Sequence, residues 1–227
     1  MSAFTLLPDM GTFLDAVYAD VRRARERVSV ECYIYRDDKL GREFADLLVG
    51  AAARGVRTRL LYDPFGSEKA DPRFFEWLRA RDVEARPYRG NEPRLGNFSF
   101  APRDHARSVL VDGVAYAGGQ AWANEWLPKE RGGDGWYDVC VRATGPVVED
   151  FARAFERRWH EEVDSQLADI DSGDRHPDVR LVCDSPARES LVFNLHVEWF
   201  RAARRRIWVA NAYFFPPSRM VEALAEA

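Results

Sequence analysis

His105 and Arg107 stand two apart in the stretch RDHARSVLVDGVAYAGGQAW (103–122). An imidazole changes charge near neutral pH, whereas a guanidinium is a permanent planar cation that forks onto phosphate oxygens. Residues two apart on a strand share a face, about 7 Å from one another along the chain. His105 and Arg107 are therefore expected to converge, with Val109 and Val111 carrying that face into the core. Such a pair suits attack on a phosphate whose oxygens the guanidinium grips. A histidine capping a strand beside a surface arginine would show the same spacing.

The pair heads a hairpin. HARSVLV (105–111) and VAYAG (114–118) flank Asp112-Gly113, which predicts a type I′ turn with positive φ at both central residues. Upstream, the 3.6-residue stripe of Phe13, Leu14, Val17 and Val21 predicts a helix over 9–26, followed by a strand, VSVECYIY (28–35). A helix over 43–55 closed by Gly55, a strand over 56–63, a helix over 74–81 and a strand over 83–88 follow. A loop rich in Gly, Asn and Pro covers 89–102. A strand over 136–145 leads to a helix opened by Pro146, with Val147, Val148, Phe151, Phe155 and Trp159 on one stripe. This alternation predicts an α/β fold with a layered mixed sheet flanked by helices.

Residues 165–178, SQLADIDSGDRHPD, read as a linker. Beyond them the opening pattern returns as a helix over 189–206, a strand over 207–215 and a helix beginning at 219. ARERVSVECYIY (24–35) matches ARRRIWVANAYFF (203–215) with one insertion, so the chain carries an internal repeat whose second copy stops at Ala227. The expected organisation is a first domain over 1–164, the linker, and an incomplete second repeat over 179–227. That second part needs cover for its strand edges and apolar face, by docking on the first domain or by swapping into a neighbour.

Bulk composition narrows the chemistry. The 227 residues are 46% hydrophobic, with 33 Lys and Arg against 37 Asp and Glu, a net charge of −4. No global basic field is available for nucleic acid, and the arginine clusters at 22–23 and 204–206 read as solvated helix faces. Cys32, Cys140 and Cys183 are far apart inside apolar stretches and form no C-x-x-C pair, so they read as buried free thiols of a reducing compartment. The N-terminus lacks a signal-peptide pattern, and no run of about 18 apolar residues occurs. A cytoplasmic chain with at most peripheral contact at the inner membrane face is expected.

The stretch 103–122 closely resembles the H-x-K-x4-D-x6-G-G/S-x-N signature of the phospholipase D superfamily. VECYIYRDDKLGREFADLLVGAAARGVRTRLLYDPFGS (30–67), GGQAWANEWL (118–127) and WYDVCVRATGPVVEDFARAFERRW (136–159) look like its cardiolipin-synthase-like branch, and NAYFFPPSRMVEALAEA (211–227) looks like the start of that branch's second half. The resemblance implies a phospholipase D-like fold and phosphodiester transfer or hydrolysis on phospholipid without metal or cofactor. One histidine forms a phosphohistidine and a second protonates the leaving alcohol. By position His105 is the nucleophile or acid, and Arg107 replaces the phosphate-gripping lysine. Asp112 matches the motif aspartate, and is more suited to bracing the turn than to touching substrate. Asp138 matches the carboxylate that orients the histidine. Gly118 and Gly119 would let the backbone approach a phosphate closely.

Three departures accompany the match. Arg107 is bulkier than lysine, five residues rather than six separate Asp112 from Gly118, and the signature's asparagine falls on Ala121 or Trp122. Gln120 is the substitute donor. A lost phosphate donor would cost about 2–4 kcal/mol of transition-state stabilisation. His160, at a helix end, reads as structural, His176 lies in the linker, and His196 has no cation two residues on. A second motif must come from a second copy, as in single-motif members of the superfamily, or from a longer chain. Tyr33, Tyr35, Tyr213, Phe214 and Phe215 read as sheet core, and DPFGS (63–67) as pocket rim. A catalytically degenerate phosphate-binding or dimerisation module, and a homodimeric nuclease-type phosphodiesterase, are the competing readings.

Overall fold

Side-chain caps decide where the helices begin. In the computed structural model, which describes residues 2–89, 103–160, 170–171, 181–183 and 190–227, Asp9 accepts the N–H of Thr12 at 2.7 Å and opens α1 (Met10–Arg23). Asp38 accepts from Gly41 and opens α2 (Lys39–Ala53). Asp71, with Pro72 at the first turn, opens α3 (Pro72–Arg79). The apolar stripe alone placed the starts of α2 and α3 at 43 and 74, later than the caps do. Helix α4 (Val147–Trp159) follows Pro146 as expected.

The first unit holds one seven-stranded mixed sheet in the order β1-β7-β6-β5-β2-β3-β4. Strands β2 (Arg27–Cys32), β3 (Arg57–Tyr62) and β4 (Glu84–Pro87) run parallel. β5 (Ser108–Val111) is antiparallel to β2, and the sheet continues antiparallel through β6 (Val114–Gly118), β7 (Cys140–Thr144) and β1 (Ala3–Leu7). β1, an edge strand, carries no alternation strong enough to announce it. Successive residues bury on opposite faces. Val28, Val30, Leu60, Val109 and Val111 pack with Phe13, Val17, Phe44 and Leu48 of α1 and α2. Leu61, Leu110, Ala115 and Ala143 pack with Phe151, Phe155 and Trp159 of α4.

Several expected strands are shorter than read: β2 ends at Cys32 instead of Tyr35, and β3 and β4 each lose a residue at both ends. β5 starts at Ser108, because its ladders to β2 and β6 end there and side chains take over: Asp63 accepts the N–H of Asp104, and Asp104 accepts that of Ala106. β7 starts at Cys140, because the Val139 N–H turns to Asp138 and that of Trp136 to the Glu125 carbonyl. In the hairpin, Asp112 takes φ 48° but Gly113 does not join it in the left-handed region, so the turn is not type I′. The loop read over 89–102 lies outside the described residues except for Arg89.

The second unit, described by itself, contains β8 (Ile170–Asp171) and β9 (Val182–Cys183), an antiparallel pair, with α5 (Leu191–Ala202) and α6 (Ser218–Glu226). Of the stretch read as linker, only Ile170 and Asp171 are described. Val197, Phe200 and Ala223 join α5 to α6. The strand expected over 207–215 does not form. Its counterpart β2 has ladders on both sides, and no described strand of the second unit plays the part of β3 or β5. Trp208, Tyr213, Phe214 and Phe215 are exposed, Phe215 at 89%, and not core. Arg204–Arg206 lie beyond the end of α5, not on a helix face. Cys183 is half-buried rather than buried.

Candidate active site

The sheet topology gathers the site along one edge. The carboxyl ends of parallel β2 and β3, the entry to β5, the exit of β6 and the entry to β7 all lie there. Open α/β sheets bind ligands outside the carboxyl ends of their parallel strands. Tyr33, Asp63, Asp104 to Arg107, Gly118 to Gln120 and Asp138 therefore approach one another from four connections.

His105 and Arg107 converge although neither belongs to β5. Arg107 Nη2 lies 3.2 Å from His105 Nε2. The guanidinium can only donate, so Nε2 accepts and carries no proton in this arrangement. The imidazole packs on the Tyr33 ring at 4.4 Å between centroids, and the Arg107 guanidinium sits 5.9 Å from the same ring. Partial burial, then the Arg107 cation, hold His105 below its ordinary pKa, with Asp63 opposing them. Burial also lowers Arg107, against the pull of Asp138. Arg107 Nε is buried without a hydrogen-bond partner among the described residues.

Asp63, expected on the pocket rim, organises the site through its hydrogen bonds. It is 1% exposed, accepts the N–H groups of Phe65 and Gly66 through Oδ1, each at 2.9 Å, and that of Asp104 through Oδ2 at 3.0 Å. Ser67 donates to the Tyr33 carbonyl and accepts from Tyr35 N, tying the DPFGS turn to the exit of β2. Tyr35 is core as expected, whereas Tyr33 is half-buried against His105.

The other expected residues divide. Asp138 accepts from Val139 N at 2.8 Å and from Trp126 Nε1 at 3.3 Å, and its charge acts on Arg107. The carboxylate that acts on His105 is Asp63. A Cβ on Gly119 would overlap the Asp138 carboxylate, and one on Gly118 would meet Cys140 Sγ at 2.6 Å. The two glycines thus admit β7 and Asp138, a role in addition to any close approach by a ligand. Gln120 is buried, and its Oε1 accepts from the Cys140 thiol at 3.4 Å. Ala121 and Trp122, the positions of the missing asparagine, are buried too, with Trp122 stacked on Phe44. Asp112 lies at the opposite end of β5, where its carboxylate accepts the N–H groups of Arg25, Glu26 and Arg27. It braces the fold and takes no part in the site.

His160 caps α4, and His196 packs on Trp199 and Phe200 within α5; His176 lies outside the described residues. Among the described residues no group of three or more His, Cys, Asp and Glu side chains is placed to hold a metal ion, and no helix is long and apolar enough to cross a membrane.

No family model matches the chain. Cardiolipin synthase A of Pseudomonas putida (strain GB-1) is 31% identical over 225 residues, which take in 96% of this chain and 47% of that protein. The chain thus spans about half the length of the curated relatives it matches. Two solved structures share the fold: NucT from Helicobacter pylori, with a TM-score of 0.55, 14% identity and coverage of 70% of this chain and 96% of that one; and Nuc from Salmonella typhimurium, a phospholipase D family member, with a TM-score of 0.54, 16% identity and coverage of 70% and 94%.

Proposed function

We propose that the chain belongs to the phospholipase D superfamily, in its cardiolipin-synthase-like branch, and that its site transfers or hydrolyses phosphodiesters of anionic phospholipid head groups through His105. The observation that carries this reading is the contact between Arg107 and His105, together with the unpaired Arg107 Nε. A buried donor without an acceptor is costly, and a phosphoryl oxygen supplies one. As the guanidinium turns to the phosphate it releases the lone pair it held on His105 Nε2. That nitrogen then attacks phosphorus in line; an N–P bond forms and the P–O bond to the leaving alcohol breaks, and water or an acceptor alcohol later forms a new P–O bond as the N–P bond breaks and His105 is freed.

The proton for the leaving alcohol needs a second histidine, and within the first unit His160 caps α4 instead of lining this site. It comes from a second copy or from further polypeptide; the half-length match to cardiolipin synthases supports the latter. Peripheral contact with an anionic membrane surface follows from a phospholipid substrate. The net charge of −4 leaves no basic field of the kind through which nucleic acid binds.

The test is turnover of phosphatidylglycerol and of a generic aryl phosphodiester by the chain and by His105→Ala, with sedimentation to read the oligomeric state. Turnover that disappears in His105→Ala is expected. Equal turnover by both proteins removes His105 from the mechanism. In the absence of turnover, a head-group phosphodiester must still shift the ring signals of His105 in the parent chain and not in Arg107→Ala; no shift in either rejects the phosphate site.

A further inference from the structure

Behind the site, β2, α4 and the peptide entering β5 enclose a set of ionisable side chains that the chemistry above leaves unused. Glu31 and Ser108 face α4, since the alternate residues Val28, Val30 and Val109 face the opposite layer. Glu31 is 1% exposed and Asp104 3%. Arg158 of α4 donates from Nε and Nη2 to the two oxygens of Glu31, the second bond at 3.1 Å, and lies 3.6 Å from Asp104 Oδ1. Ser108 Oγ donates to Glu31 Oε2 at 3.2 Å. Asp104 Oδ1 accepts from Ala106 N at 3.1 Å, but Asp104 Oδ2 is buried with no hydrogen-bond partner among the described residues. Two carboxylates against the guanidinium that reaches both would leave uncompensated negative charge in the interior, a costly arrangement.

We propose that Asp104 keeps its proton at neutral pH and offers it to Glu31 in a hydrogen bond, and that this proton positions His105. A protonated Asp104 turns its orphaned Oδ2 from an idle acceptor into a donor toward Glu31, and it leaves one anion, Glu31, opposite one cation, Arg158. Burial first, and then the Glu31 charge, push the Asp104 carboxyl well above the usual carboxylate range, outweighing Arg158. Among the described residues, the other ionisable groups near the pair are Asp63, bonded to Asp104 N, and Cys32, whose thiol burial keeps neutral, with Arg107 beyond it. The influence of this proton reaches His105 through the backbone. The carboxylates of Asp63 and Asp104 hold the N–H groups of residues 104 and 106, on either side of the imidazole. Loss of the proton sets Asp104 against Glu31 and loosens that grip. The positioning half of the proposal rests on His105 as the reacting group; the retained proton does not.

Infrared spectra of the full chain at neutral pH test the proton directly. A carboxylic-acid carbonyl band that moves in heavy water is expected, lost in Asp104→Asn. It is lost also in Glu31→Gln, where Asp104 can ionise against Arg158 and accept from the new amide. The His105 ring resonances of the parent chain should show a second step at alkaline pH, absent in Asp104→Asn. No acid band in the parent chain, or a band unchanged in both variants, overturns the retained proton. Identical alkaline behaviour of His105 in the parent and Asp104→Asn overturns the positioning. Neither readout needs a substrate, so failure of lipid turnover leaves this test intact.

Discussion

Asp112 Oδ1 accepts the backbone N–H of Arg27 at 2.9 Å, across 85 residues of sequence. The aspartate of the motif therefore secures the sheet edge remote from His105. Burial pushes its carboxyl up, but the N–H groups of Arg27, Arg25 and Glu26 outweigh burial and hold it below its ordinary value.

Asp112→Ala is expected to lower stability by about 1–3 kcal/mol at neutral pH while leaving the His105–Arg107 geometry unchanged. The measurement is a fall in the urea midpoint without a change of slope. A carboxyl with a depressed folded pKa stabilises fully above its unfolded value of about 3.9 and loses that stabilisation as pH falls through the folded value. The gap between parent and variant should therefore close on acidification below about pH 4. A gap that widens there is inconsistent with this role.

Arg107→Ala removes the cation that disfavours protonated His105. The imidazole pKa must then rise toward its ordinary value of about 6.5, as read by a ring-proton titration. Attack on phosphorus requires the unprotonated ring. The parent rate should thus persist somewhat below the ordinary histidine range and fail only at lower pH, and the variant's acid limb should move up. Its maximal rate should drop by about 10²–10³ through the lost phosphate donor. An acid limb that stays in place would separate Arg107 from His105.

Gly119→Ala puts a methyl group into the Asp138 carboxylate. Overpacking of this kind costs about 1–3 kcal/mol. Pairing it with Asp138→Ala should recover much of that loss, so a double-mutant cycle on unfolding free energy is expected to be strongly non-additive. Additive losses would mean that the two residues do not meet.

The helices and buried strands of the first unit were legible because each carried its own period and a Gly, Pro or Asp boundary. The spacing of His105 and Arg107 pointed to the pair, but the strand geometry behind that expectation does not hold, because both precede β5. Asp63 was not legible, because its work is done by accepting three backbone N–H groups, a role that leaves no pattern along the chain. Glu31 left a faint sign, a charge inside the apolar run VSVECYIY, but its partners Asp104 and Arg158 are distant in sequence. The segment 207–215 misled because β-branched and aromatic composition reports fitness for a ladder, and strand formation also needs neighbours.

Cys140 lies directly beneath the glycine pair, its thiol donating to Gln120. Burial pushes that thiol up to about 12, so at physiological pH almost none of it is thiolate, the form that alkylating agents and peroxides attack. The sulfur beside Gly118 is thereby chemically mute. Oxidative stress should spare this position, and its sulfur cannot compete with the imidazole for an electrophilic phosphorus.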